Sequence, residues 1–132
     1  MTEASVQVEE LTSALPSADL WGSFKVHGIE RSRLELVGWA LGAVTEVTRV
    51  EILAGGSVIA STVPALPRDE LAEQFPDRKS AATCGFEVAI EAKGKGKSML
   101  ELRAVLEDET TVPMGEIRVL TPARRWDVFR RR

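Results

Sequence analysis

The sequence predicts an antiparallel β-sandwich interrupted by one short helix, and three observations carry that prediction. Several segments alternate apolar and polar side chains, the two-residue period of a half-buried strand. Two β-rich runs are joined by Gly55-Gly56, and a glycine pair lets both central positions of a hairpin turn take φ > 0. The run Leu34-Glu35-Leu36-Val37-Gly38-Trp39-Ala40-Leu41 is the longest that reads as a buried strand. The rest of the chain is expected to organise around it, with Trp39 sealed between two sheets.

Met1 to Pro16 is polar and shows no clear period, so a frayed N-terminus is expected there. Ser23 to Ile29 sets Phe24 and Val26 against Lys25 and His27, a half-buried strand. Arg33 to Leu41 alternates at first. From Val37 onward it is apolar on both faces, which calls for an interior strand covered on both sides, or one whose second face a loop or helix covers. Gly38 would let a neighbouring backbone or ring approach closely. Val50 to Ala54 and Val58 to Val63 form the Gly55-Gly56 hairpin and are expected to pack beside the central run.

Pro64 and Pro67 end that hairpin. Arg68 to Phe75 is rich in helix formers, with Leu71 and Phe75 on one stripe and Pro76 as the stop. Asp69 or a neighbour is expected to cap its first amides, and the helix to close an open end of the sandwich. Asp77 to Thr83 reads as a polar loop. Cys84 to Ile90 and Met99 to Leu106 alternate again, and Thr111 to Pro113 and Gly115 to Leu120 complete the set. About seven short strands at this spacing, with one helix at about 68–75, give the fold class: all-β, an immunoglobulin-like antiparallel sandwich. The expected layout is a flexible segment at 1–16, the sandwich at 17–121 and a basic tail or linker at 122–132.

A chain of 132 residues is the size of one domain. It has one cysteine, Cys84, so no intrachain disulfide forms, which fits a reducing compartment. No secretory leader or membrane-spanning run is recognisable, and a cytoplasmic location is expected. The formal charge is −3, but the last nine residues hold five Arg and one Asp, leaving −7 on the rest. An acidic body argues against nucleic acid as a partner. There is neither Tyr nor Asn, residues on which loop-based recognition surfaces lean.

Catalytic constellations are not apparent. Gly94-Lys95-Gly96-Lys97-Ser98 echoes a phosphate loop, yet Glu91 stands where the leading Gly of that motif belongs, and a helix should follow rather than a strand. A hairpin loop is the expectation. One His and one Cys, His27 and Cys84, are too few for a metal centre. Nothing in the sequence brings them together as base and nucleophile, so neither metal nor cofactor is expected. Arg68 and Asp69 read first as helix-start residues and second as a rim binding site. Trp126 and Phe129, spaced i,i+3 among arginines, suit weak contact with an anionic membrane surface, a protein partner, or a linker into a further domain.

Four pieces in order carry a resemblance: Gly38-Trp39-Ala40-Leu41; the strand–Gly–strand hairpin; Pro67-Arg68-Asp69-Glu70-Leu71 through Phe75-Pro76; and Cys84-Gly85-Phe86. Together they resemble a small β-sandwich accessory domain found with bacterial glycosyltransferases and other surface-glycan proteins, over roughly residues 34–120. The hairpin departs from the expected pattern, with Gly55-Gly56 in place of Asp-Gly. The resemblance implies a non-catalytic module that docks or orients a protein partner or adjoining domain of the glycan-synthesis machinery. A carbohydrate-binding module is the alternative. The absence of Tyr and Asn and the structural look of the Trp residues count against it, and an exposed planar aromatic beside a polar groove would favour it.

Overall fold

The computed structural model describes residues 7–11, 19–30, 33–91 and 96–121. It is an all-β sandwich. Five strands, β1 (Gln7–Leu11), β4 (Val47–Ala54), β5 (Ser57–Thr62), β7 (Gly96–Leu106) and β8 (Thr111–Thr121), form one antiparallel sheet in the order β1-β8-β7-β4-β5. The other sheet holds β2 (Leu20–Glu30), β3 (Arg33–Gly42) and β6 (Gly85–Glu91) in the order β2-β3-β6. A short helix, α1 (Asp69–Gln74), and a 3₁₀ turn at Lys79–Thr83 lie between β5 and β6.

The alternation placed the strands well. Leu34, Leu36 and Ala40 of β3 meet Val50 and Ile52 of β4, Phe86 and Ile90 of β6, and Leu100, Leu102 and Ala104 of β7 in one continuous core. Gly55 and Gly56 form the β4–β5 turn at φ 58° and 83°, the left-handed conformations that a hairpin turn demands. Gly38 also behaves as expected. A methyl at that position would stand 2.8 Å from Phe86 Cζ and 2.9 Å from Phe24 Cα, and would collide with the Ser23 carbonyl oxygen.

Several expectations change. The β4–β5 hairpin does not lie beside the Leu34–Leu41 run; it faces that run from the opposite sheet. Gln7–Leu11, expected in a frayed segment, pairs with Glu116–Leu120 as an edge strand. Thr111–Thr121 is one strand, its register shifting opposite Leu102 and Arg103 at a bulge that includes Met114. Pro113 is tolerated there because β1 pairs only from Glu116 onward, so no ladder bond is lost on that side. Helix α1 is shorter than expected. Its cap position is Arg68, with no side-chain capping bond, and Asp69 is its first residue. Most of the expected loop at Asp77 to Thr83 is the 3₁₀ turn.

Trp39 is not between the sheets. It projects from the outer face of the three-stranded sheet, half-buried against a second cluster of Leu41, Leu71, Ala81 and Cys84, with Phe75 beside it. The helical excursion therefore covers the outer face of this sheet, and its later part also reaches the β3–β4 end, where Arg78 donates to the Gly42 carbonyl and the Ser80 hydroxyl to Glu46. This explains why the end of β3 is apolar on both sides: Leu36 and Ala40 face the second sheet, while Trp39 and Leu41 pack against the helical excursion.

Candidate functional site

Three of the four pieces that carry the resemblance, residues 38–41, 67–76 and 84–86, come together in space, while the Gly55-Gly56 hairpin lies in the opposite sheet. The Phe86 ring lies over the bare backbone of Gly38. The Ala40 amide donates to the Cys84 carbonyl at 3.0 Å, and the Arg68 amide donates to the Ala82 carbonyl at 2.7 Å. Leu66 and Gly85 exchange backbone bonds of 2.9 and 3.1 Å. These contacts pin the helical excursion across β3 and β6, and they assign the motif residues to holding the cover in place.

Arg68 and Asp69, the proposed rim residues, sit at the start of α1. Arg68 Nε donates to Glu70 Oε1 at 2.5 Å, and that bond holds the Glu70 carboxyl below the usual carboxylate range. The Arg68 stem also runs close to Gly85. Asp69 is exposed. Neither residue lines the cleft described next. Trp126 and Phe129, with the rest of the basic tail, lie outside the described residues.

A cleft of about 350 Å³ opens between the sheets under the 3₁₀ turn, lined among others by Glu46, Lys79, Ser80, Thr83 and Cys84. Its polar groups are partly spent on one another, since the Ser80 hydroxyl donates to Glu46 Oε2. Cys84 is buried and its Sγ donates to the Ala81 carbonyl at 3.3 Å. Burial pushes the thiol pKa up, away from the thiolate that nucleophilic chemistry needs. The register sets Val26, next to His27, opposite Leu36, and the chain contacts Cys84 at Ala40. Those two β3 positions are about 13 Å apart at the rise of a strand, so His27 does not serve Cys84 as a base. Among the described residues no group of three or more His, Cys, Asp or Glu is placed to hold a metal ion. None of their helices is long and apolar enough to cross a membrane.

Two features escaped the sequence reading. The first is Glu51, 7% exposed on the outer face of the five-stranded sheet. It accepts from Arg49 Nε at 3.0 Å and from Arg103 Nη2 at 2.7 Å. Those hydrogen bonds, Arg49's first, hold its carboxyl below the ordinary glutamate range. A depressed folded-state pKa stabilises the fold at pH values above the unfolded-state pKa, and the benefit is lost as pH falls through the folded-state pKa. Glu51→Gln should therefore cost about 1–2 kcal/mol at pH 7 and much less at pH 3. Urea unfolding of both proteins at the two pH values measures this, and a cost independent of pH would refute the ionic role.

The second feature is Trp21. It belongs to β2 and stacks on Phe75 with ring centroids 4.8 Å apart and planes at 28°, while 39% of its surface stays exposed. Phe75 in turn lies 6.3 Å from Trp39. Its odd position puts it on the same face as Trp39, since Ser23 pairs with Trp39 and Trp21 with Leu41.

No family model matches the chain, and no curated protein matches it in sequence. Among solved structures, the crystal structure of chicken MD-1 complexed with lipid IVa is similar at 10% identity and a TM-score of 0.36, covering 87% of this chain and 97% of that one.

Proposed function

We propose that this domain is a non-catalytic docking or orienting module that serves glycan-assembly machinery by holding a partner protein or an adjoining domain. The glycan context comes from the resemblance in the sequence. The docking role is carried by one observation, the border formed by β5 and the chain that follows it. Val58, Ile59, Val63 and Leu66 are all exposed there, Val63 by 64%. β5 pairs only with β4 among the described residues and carries no charged side chain. The other three sheet edges are charged: Glu9 and Glu10 in β1, Lys25 and Glu30 in β2, Glu87 and Glu91 in β6. Charged edges discourage pairing with foreign strands, and an uncharged apolar edge invites contact.

A photo-cross-linker placed at position 63 in cells tests this reading. The expected product joins the domain to a glycan-assembly protein. Ile59→Lys, at an exposed position, should leave unfolding stability within about 0.5 kcal/mol and cut the cross-linked yield about tenfold. Products of unrelated function would refute the glycan context, and a yield indifferent to Ile59→Lys would refute the border as the docking face.

The alternative reading, a carbohydrate-binding module, is favoured by a different observation: the ring of Trp21 stands at the surface.

A further inference from the structure

We infer that Trp21 and the open part of the three-stranded sheet form a binding site for a neutral oligosaccharide. This rests on the carbohydrate-binding reading and is independent of the β5 border. Backbone register fixes the layout. On the outer face of the sheet, one row holds Trp21 and Leu41, the next Ser23, Trp39 and Gly85, and the next Lys25, Val37 and Glu87. The helical excursion covers Trp39 and Leu41. Ser23, Lys25 and Glu87 remain exposed. An aromatic ring therefore stands at one end of an open strip whose exposed groups are polar.

The chemistry of that strip matches a sugar chain. The face of an indole carries the negative lobe of its quadrupole. Sugar C–H groups are polarised positive by the oxygens on their carbons, so the C–H side of a pyranose suits that face. One side of the Trp21 ring is already stacked on Phe75, which holds the ring in place before any ligand arrives and reduces the ordering cost of binding. Along β2, Ser23 lies about 7 Å and Lys25 about 13 Å from Trp21 at the rise of a strand, the scale of a short oligosaccharide. Lys25 donates, Glu87 accepts and Ser23 does both, which is the mixture that sugar hydroxyls require. The opposite charges of Lys25 and Glu87 leave this strip without net charge, which favours a neutral ligand over an anionic one.

The test is a titration of the full ¹⁵N-labelled chain with cellohexaose, mannohexaose and chitohexaose, read at the tryptophan indole and the backbone N–H signals. The expected result is a saturable shift of the Trp21 indole signal with at least one of the three. Trp21→Ala should weaken binding about tenfold and Lys25→Ala several-fold. Trp21→Ala also removes a packing partner of Phe75. Lys25→Ala touches only the exposed strip, so its effect on affinity with an unchanged melting temperature keeps the inference falsifiable if Trp21→Ala misfolds. Absence of any Trp21 shift at 10 mM sugar (on the order of the weakest affinity worth calling a site) overturns the inference. So does binding that Lys25→Ala and Trp21→Ala leave unchanged. Either failure leaves the cross-linking result at the β5 border standing.

Discussion

Phe86→Ala should lower the unfolding free energy by about 3–5 kcal/mol. Phe86 is 1% exposed and belongs to the core shared by both sheets. Its ring fills the space above Gly38. Truncation removes that ring, and the neighbouring wall is glycine backbone, which has no side chain to lean into the void. Collapse is therefore limited, and the cost should fall at the upper end of the range. Urea unfolding followed by circular dichroism measures it; a loss under about 1 kcal/mol would mean that the ring is not the packing element described.

Gly38→Ala should cost about 1–3 kcal/mol or more, although it adds a single methyl group. That methyl would press on the Phe86 ring at 2.8 Å and also on backbone, at Phe24 Cα and the Ser23 carbonyl. A ring can shift; two backbone atoms in a paired strand cannot do so cheaply. The two substitutions should therefore couple. In a Phe86→Ala background the ring collision disappears and the backbone collisions stay, so Gly38→Ala should be milder there without becoming neutral. A double-mutant cycle reads this directly. Strict additivity would show that Gly38 and Phe86 do not meet in solution.

The core strands were legible because burial on one face imposes a period of two, as Leu34, Leu36, Leu100, Leu102 and Ala104 show. The position of Trp39 was also signalled. Arg33 and Glu35 share its side of the strand, and two charged residues mark that side as the one facing away from the second sheet. The size of the indole suggested the core, but parity was the better guide. Gln7–Leu11 was missed for a different reason. An edge strand with adjacent glutamates at Glu9 and Glu10 has no internal alternation to declare it, and its formation depends on β8 offering a free edge. The candidate site was less legible still. Arg68 and Asp69 stand at the start of α1, as their local sequence announced, while Glu51 depends on Arg103, 52 positions away in the chain.

The amino-acid order alone determined the properties that neighbours in sequence decide: which segments extend, where Gly55-Gly56 reverses the chain, and where Pro76 halts the helix. Tertiary packing decided which sheet each strand joined, which face of β3 met α1, and that Trp21 stayed at the surface. The reason is that dihedral preference and side-chain period act over a few residues, whereas the partner that covers an apolar face can come from any distance along the chain. β3 shows the limit clearly. With apolar residues on both sides from Val37 to Leu41, it had two faces to bury, and only the arrival of α1 settled what would cover the second.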